Sequence, residues 1–565
     1  MTKRQLRQWA VAVLLFLIVS GISYASSRLV RLSWEQFVGY ETPYAFDLPT
    51  RDIASGPSSR VVLVVIDSLT DEAAASMKSW QHLQREGSTW NLTGAVPSQN
   101  LPAWATLVTG TDPDIHGTAT GLHTRPMPVD DLFSAARRSG CTPVFAGHRD
   151  WEILFGTSVD RARYQFLPPT EDPGPDPDRD SLEFILEHLA SAERGLFVLN
   201  LTTLNQVALT SGASVGENRH SPYMERVLQY DEMLDQLLQA LDLSRDSILV
   251  VSSHGTTNRG AFGGGEPEVI EVPAVAAGRG IAPSTTATAE ATAVAPTLAV
   301  LMGCGFPAHS TGLPVTDALE MDTDQKSEVM TAALTAQLPF YQQFLTILDS
   351  DMHLPHPDES EVSGPEEVAA AYRAAREAAV ASQLARERRA RLPLLLISIA
   401  IGLVWTAIVW RSEHRRTMLF GLPLMVATGF GIMYFMGARF SLTDIKTAAN
   451  FALWFRGLRA QGFLVTIALG MMSGLLIARH GNYTWPQLIG GTLHTLTTSM
   501  IALMLFAGGY LYWCGWEISW TLPHQPLWIA SFAAITFIFT MGQAALLALG
   551  MSWLGAILTV HWWLD

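Results

Sequence analysis

Residues 61–69 read VVLVVIDSL, and this stretch decides the fold class of the soluble part of the chain. An apolar run that ends in a carboxylate is typical of a strand buried on both faces of a parallel sheet. Two further apolar runs, Leu196–Leu201 and Ile248–Val251, repeat the pattern. Helical spacing over Asp130–Ser139 and Ser221–Leu241 alternates with these runs. The alternation predicts an α/β domain with a doubly wound, mostly parallel sheet flanked by helices.

The composition of the whole chain indicates a membrane protein. Of 565 residues, 48% are hydrophobic and only 16% are charged, whereas about 25% are charged in a typical soluble protein. The net charge of −15 excludes nucleic acid as the expected partner, because phosphate neutralisation requires clustered Lys and Arg. The 3 cysteines are odd in number and widely spaced, which argues against a disulfide framework and against a cysteine zinc site.

Apolar segments lie at both ends of the chain. Near the N-terminus, basic residues precede the uncharged run Trp9–Tyr24, which is the pattern of a signal anchor or of a cleavable signal peptide. Each C-terminal run approaches the roughly 20 residues that a spanning helix needs. These runs are Leu392–Trp410, Leu419–Met436, Phe463–Ala478, Leu488–Leu511 and Leu527–Leu549. A last apolar piece, Met551–Trp563, is too short to predict a further span.

We therefore predict five regions along the chain. They are an N-terminal transmembrane helix (1–27), a linker (28–56), the α/β domain (57–350), a linker with a connecting helix (351–391) and an all-α transmembrane bundle of about five spans (392–565). Within the α/β domain, the Pro- and Asp-rich stretch Pro168–Asp180 predicts an exposed loop. The basic N-terminus places the α/β domain outside the cytoplasm of a cell-surface membrane, although the arginines that precede Leu392 oppose this orientation.

The motifs of the α/β domain follow one another in a familiar order. Asp67 ends the first strand, residues 96–117 read VPSQNLPAWATLVTGTDPDIHG, and residues 251–264 read VSSHGTTNRGAFGG. Over about residues 58–320 this order resembles the alkaline phosphatase superfamily, in particular the type I phosphodiesterase/nucleotide pyrophosphatase branch. The layout of anchor, outer domain and multi-span bundle is similar to that of the glycosylphosphatidylinositol ethanolamine phosphate transferases. The resemblance implies two zinc ions that activate a Thr or Ser hydroxyl as the nucleophile.

However, most of the positions that hold the nucleophile and the metal ligands in the resembled family carry other residue types in this chain. The nucleophile position falls on Asn100, whose amide cannot act as a nucleophile, and Ser98 is the alternative if the loop is shifted by two residues. Two metal-ligand positions keep their residues, Asp67 and His254. The other ligand positions carry Asn205, Leu209, Ser253 and Phe262. Because tight zinc sites use three or four ligands, two retained ligands are too few. Taken alone, Asp67 is also a plausible helix N-cap.

Two functions remain open from the sequence. The first is a catalytically impaired binding or scaffold protein with no metal or a single weakly bound divalent metal, and with membrane lipid, other membrane proteins or a phosphorylated lipid or glycan as partners. The second is an active, metal-dependent phosphodiesterase or phosphoethanolamine-type transferase that acts on a lipid- or glycan-linked substrate. It would use two zinc ions with replacement ligands from His148, Asp150, Asp71 or His220, or one metal held by Asp67, His254 and Ser253 or Asn100. A transport function of the bundle is disfavoured, because its spans contain almost no charge.

Overall fold

A computed structural model describes most of the chain. The described residues are 3–50, 56–166, 176–215, 221–357, 364–411, 441–444, 448–479, 483–515 and 517–562, with the isolated positions 415, 423 and 426. The predicted span Leu419–Met436 and the candidate ligand His220 lie outside the described residues, apart from those isolated positions.

The α/β domain is built on one eight-stranded sheet. Its strands are β1 (Arg60–Ile66), β2 (Ser88–Thr93), β3 (Thr142–His148), β4 (Arg161–Gln165), β5 (Gly195–Leu201), β6 (Asp246–Ser252), β7 (Glu271–Gly278) and β8 (Thr285–Glu290). Their spatial order is β4-β3-β5-β1-β6-β7-β2-β8. Strands β4, β3, β5, β1 and β6 run parallel, and β7 pairs antiparallel with both β6 and β2. The predicted mostly parallel sheet is confirmed.

Helices cover both faces of this sheet. In chain order they are α2 (Asp71–Ser76), α3 (Lys78–Glu86), α4 (Asn100–Thr109), α5 (Pro113–His116), α6 (Leu132–Arg138), α7 (Asp150–Phe155), α8 (Pro177–Ser191), α9 (Thr203–Ser211), α10 (Pro222–Ala240), α11 (Pro267–Ile270), α12 (Val294–Met302) and α13 (Thr323–Ile347). Alternate residues of β1 face two separate cores: Val61, Leu63 and Val65 pack with α4 and α6, and Val62, Val64 and Ile66 pack with α3 and α10. This alternation follows from the two-residue period of a strand.

Long apolar helices form the membrane part. They are α1 (Lys3–Val38), α14 (Pro365–Arg411), α15 (Ala448–Ala478), α16 (Trp485–Cys514), α17 (Gln525–Gln543) and α18 (Ala545–Trp562), numbered over the described helices. Within the described chain, α1, α14, α15, α16 and α17 are long and apolar enough to cross a membrane. Helix α1 continues past residue 27 into the predicted linker, and α14 runs unbroken from the connecting helix into the predicted span.

The last predicted span is divided in the structure. Helix α17 ends at Gln543, and α18 begins at Ala545 and includes most of the piece Met551–Trp563. Helix α18 packs tightly on α15: a Cβ at Gly474 would lie 1.9 Å from the carbonyl oxygen of Ser552. Small residues permit such backbone contact between helices. The apolar run Leu527–Leu549 does not reveal the break, because both helices are apolar.

The C-terminal part of the predicted loop Pro168–Asp180 is helical in the structure. Residues 167–175 are outside the described residues, but α8 begins at Pro177 with Asp176 as its N-cap, and Asp178 is buried. Proline in the first turn and aspartate at the N-cap are typical helix starts. The Pro- and Asp-rich composition therefore marked a helix start at Pro177–Asp180 rather than a loop.

Candidate functional site

The candidate site lies at the carboxyl edge of the parallel strands, around Asp67. Asp67 follows β1 directly, between its neighbours β5 and β6, and its side chain is fully buried. The carboxylate accepts hydrogen bonds from Trp104 Nε1 at 2.8 Å, Asn100 Nδ2 at 3.2 Å and Asn200 Nδ2 at 3.3 Å. It also accepts a hydrogen bond from the Ser253 hydroxyl. Four donors thus surround one buried carboxylate, where a group without partners would be costly.

The Asn100 amide connects the two retained ligand positions. While Asn100 Nδ2 donates to Asp67, the Nε2 atom of His254 lies 2.9 Å from Asn100 Oδ1. The other ring nitrogen of His254 lies 2.9 Å from the carbonyl oxygen of Gly255. Both nitrogens therefore face oxygen acceptors, and the ring stacks on Phe262 with a centroid distance of 4.1 Å. A histidine nitrogen that binds a metal must instead present a lone pair.

A second amide extends the network. Asn205, on the first turn of α9, donates from Nδ2 to Asn100 Oδ1 at 3.4 Å and accepts from the Ser68 hydroxyl at 3.0 Å. Ser68 has a φ of 66°, a conformation that non-glycine residues seldom adopt. Its backbone N–H donates to the His254 carbonyl oxygen at 3.1 Å. The turn after β1 is thus fixed to the loop after β6 and to α9.

Burial controls the protonation of Asp67. Desolvation raises the pKa of Asp67 from the ordinary 3.8 to about 6, and the hydrogen bonds from Ser253, Trp104 and Asn200 limit the rise because they stabilise the charged form. At neutral pH the carboxylate is ionised, with its negative charge held by neutral donors.

Several sequence-predicted residues lie beside this network rather than in it. The Ser98 hydroxyl donates to the Gly264 carbonyl oxygen at 2.7 Å and accepts from the Gly263 N–H at 3.2 Å, so it is engaged by the loop after β6. Leu209 is half exposed on α9. Phe262 is buried and contacts the site through its stacking on His254. The structure therefore brings together Asp67, Asn100, Asn205, Ser253, His254 and Phe262.

The proposed replacement ligands are placed differently. His148 Nδ1 lies 3.5 Å from Asp150 Oδ2 and accepts from the Asp150 N–H, and the His148 ring lies 5.9 Å from the Trp104 ring. Asp71 lies in the first turn of α2. Within the described part of the chain, no group of three or more His, Cys, Asp or Glu side chains is placed to hold a metal ion. The site residues offer one carboxylate and one imidazole, and this donor set does not fit two zinc ions.

Sequence reasoning missed two residues that hold Asp67. Asn200 is fully buried in β5, where its Nδ2 donates to Asp67 and its Oδ1 accepts from Trp151 Nε1 at 3.1 Å. Trp104 lies within the quoted motif at residues 96–117 without a predicted role, and its indole N–H donates a hydrogen bond to the carboxylate. A polar residue inside the apolar run LFVLNL was the signal that could have revealed Asn200.

The rim of the site contacts the membrane part. Thr443, in the described segment Ser441–Asp444 that precedes α15, donates to Glu266 Oε2 at 2.7 Å. Leu442 of the same segment is buried, and a Cβ at Gly263 would lie 3.0 Å from its carbonyl oxygen. The loop that carries Gly263 and Glu266 also engages Ser98. The edge of the site therefore faces the membrane helices.

Comparisons with known proteins agree with this architecture. Residues 61–125 match the family model of type I phosphodiesterase/nucleotide pyrophosphatase. Human GPI ethanolamine phosphate transferase 1 is 21% identical over 320 residues, which cover 48% of this chain and 34% of the relative. The match thus spans about a third of the length of that relative.

Three solved structures are similar to part of the chain. A 2-O GAG sulfatase has a TM-score of 0.36 and 16% identity, over 46% of this chain and 73% of its own. An alkaline phosphatase superfamily protein from Vibrio parahaemolyticus has a TM-score of 0.34 and 14% identity, over 50% and 76%. Murine ectonucleotide pyrophosphatase/phosphodiesterase 5 has a TM-score of 0.35 and 13% identity, over 46% and 100%. The chain thus combines helices long and apolar enough to cross a membrane with an α/β domain that is similar, over residues 61–125, to type I phosphodiesterase/nucleotide pyrophosphatase, and part of the chain is similar to human GPI ethanolamine phosphate transferase 1.

Proposed function

We propose that this protein is a non-catalytic, membrane-anchored binding or scaffold protein derived from the phosphodiesterase-like fold. One observation carries the proposal: the Asn100 amide donates to Asp67 and accepts from His254. Asp67 and His254, the two retained metal-ligand positions, are thus hydrogen-bonded to Asn100, which occupies the nucleophile position. The protein then holds no metal or a single weakly bound divalent metal.

The chemistry of the substituted positions supports the same proposal. A hydroxyl nucleophile needs a base or a metal to take its proton. Asn100 has no hydroxyl, and the Ser98 hydroxyl donates to a backbone carbonyl. The α/β domain then serves recognition of a phosphorylated lipid or glycan, or contact with other membrane proteins, rather than bond cleavage. We place the domain on the extracytoplasmic side of the plasma membrane, following the basic N-terminus.

An active transferase is the second candidate function, and the Asp67 carboxylate favours it. A buried, ionised carboxylate with a pKa of about 6 costs stability, which a purely structural position does not require. In this alternative Asp67 and His254 would hold one divalent cation in place of their hydrogen bonds to Asn100, and the cation would supply the activation that the Ser98 hydroxyl needs as a nucleophile. The product would be a phosphorylated or phosphoethanolamine-type lipid or glycan.

Metal content and turnover separate the two functions. The full-length protein is purified in detergent, its zinc is measured by mass spectrometry, and hydrolysis of an aryl phosphodiester is followed. We expect zinc well below one ion per chain and no turnover above that of Asp67→Ala. Zinc at one or more ions per chain, with turnover abolished by Asp67→Ala, would refute the proposal.

A reversion variant supplies the positive control. It restores the ligand and nucleophile types of the resembled family through Asn100→Thr, Asn205→Asp, Leu209→His, Ser253→Asp and Phe262→His. We expect this variant to bind zinc that the wild type does not bind, because its donor set again supplies three or more ligands per ion. Equal zinc in both proteins would contradict the role given to the substitutions.

A further inference from the structure

A cavity of about 440 Å³ lies among the apolar helices and the segment between two of them. Its walls come from α1, α14, α16 and α17, and from Gly515 and residues 517–524 between α16 and α17. Leu29, Leu32, Leu527 and Ile535 are among the apolar residues that line the cavity, and Arg388 of α14 is also in its lining. A concave site with apolar walls and a few polar groups is typical of a small-molecule site.

Two arginines of α14 supply guanidinium donors: Arg388 lines the cavity together with Glu387 and Glu517, and Arg391 lies outside its lining. The Arg388 guanidinium lies 3.8 Å above the Trp513 ring, and its Nε donates to the Trp513 carbonyl oxygen at 3.2 Å. One turn further along α14, Arg391 Nη2 pairs with Glu387, but Arg391 Nη1 is buried and has no hydrogen-bond acceptor among the described residues. Residues three apart share a helix face. A buried guanidinium N–H without an acceptor is costly unless a ligand supplies one.

A second unsatisfied group is the hydroxyl of a serine in the cavity lining. The Ser531 hydroxyl of α17 is in the cavity lining, and Ser531 is only 2% exposed. Within the described part of the chain its oxygen has no hydrogen-bond partner. Because buried polar groups are nearly always paired, this hydroxyl points to an occupant with an oxygen atom part of the way along its length.

A narrower groove of about 110 Å³ adjoins the cavity. Leu511 and Gly515 line both spaces, and the groove follows α14 and α16 past Leu394 and Gly508 toward the membrane interior. Arg391 lines this groove, whereas Arg388 lines the cavity. Two adjoining apolar spaces, each lined by one of two arginines three residues apart on α14, match a molecule with one anionic head and two chains.

We propose that the cavity and the groove together bind one glycerophospholipid. Its phosphate lies against Arg388 and Arg391, one acyl chain enters the cavity along Leu29 and Leu527, and the other follows the groove. An ester oxygen accepts the Ser531 hydroxyl. Bidentate guanidinium recognition of phosphate explains why arginines occupy this position. The site is separate from the network around Asp67, so the inference stands whether or not that network is catalytic.

Lipid retention by matched variants tests the proposal. The full-length protein is delipidated in detergent, supplied with dioleoylphosphatidylcholine, and examined by native mass spectrometry. We expect one strongly retained lipid and about tenfold weaker retention by Arg388→Gln, because a charge-assisted hydrogen bond is lost. The control Arg389→Gln removes the exposed neighbouring charge, which does not line the cavity, and leaves retention unchanged.

Two further comparisons test the chains and the phosphate. Leu32→Trp fills the cavity and is expected to displace the lipid, whereas Leu17→Trp, on an exposed part of α1 outside the cavity, does not. Dioleoylglycerol, which lacks the phosphate, is expected to be retained about tenfold less than the phospholipid. Equal retention of both lipids, or equal losses in Arg388→Gln and Arg389→Gln, would overturn the proposal.

Discussion

Replacing Asp67 with asparagine tests whether the buried carboxylate is held without a cation. The pKa of Asp67 rises from 3.8 to about 6 in the folded protein, mainly because burial penalises the charged form. The protonated carboxyl therefore favours the folded state. Its contribution is fully present below about pH 4 and is lost as the pH rises through 6, which amounts to roughly 3 kcal/mol for about two pKa units. Asparagine imitates the uncharged form at every pH.

The difference in stability between the wild type and Asp67→Asn should therefore change with pH. We expect the wild type to lose about 3 kcal/mol relative to the variant between pH 4 and pH 7, or roughly 6–12 °C in melting temperature for a domain of this size. The measurement is thermal unfolding of the full-length protein in detergent, followed by tryptophan fluorescence, with and without EDTA. Comparison with the variant cancels the titration of the other carboxylates.

The direction in which this stability difference changes with pH shows whether a cation is bound. A bound cation would depress the pKa of Asp67, and the wild type would then gain stability relative to the variant as the pH rises. That gain, or its loss in EDTA, would refute the reasoning. Asp324→Asn removes an exposed carboxylate from the start of α13 and should leave the wild-type slope unchanged.

Two further predictions concern stability. Arg226→Met should lower the unfolding free energy by about 3–5 kcal/mol, because Asp178 is buried and its carboxylate lies 2.8 Å from Arg226 Nη2; an unchanged melting temperature in the same fluorescence assay would contradict this. Gly474→Leu should disrupt the packing of α15 on α18, because even its Cβ would lie 1.9 Å from the Ser552 carbonyl oxygen. The control on the same helix is Gly457→Leu, because a Cβ at Gly457 meets nothing within 4 Å. The fraction of monodisperse protein in detergent is measured by size-exclusion chromatography, and equal fractions for the two variants would contradict the prediction.

Much of the fold could be predicted from local patterns. The apolar run Val61–Ile66 became a fully buried strand, because only a strand covered on both faces buries consecutive side chains. The spacing over Ser221–Leu241 became α10, Pro222–Ala240. Patterns of this kind depend on neighbours in sequence, so they can be interpreted without the tertiary structure.

Errors occurred where one composition fits two structures. Pro and Asp are common both in loops and at helix starts. The sequence pattern was interpreted as a loop, but Pro177–Asp180 forms the start of a helix. Asp178 stabilises that region through long-range bonds, since its carboxylate accepts the N–H groups of Thr202 and Thr203 and the Tyr230 hydroxyl. None of these partners is close in sequence to Asp178.

The sequence by itself determined the residue types of the candidate site: one carboxylate, one histidine, and amides or apolar side chains at the other positions. Only the tertiary structure decided how these residues meet. The Asn100 amide lies between Asp67 and His254, and Asn200 reaches the same carboxylate from a neighbouring strand. The physical reason is that hydrogen bonds between distant strand ends depend on sheet order and register, which local patterns do not specify.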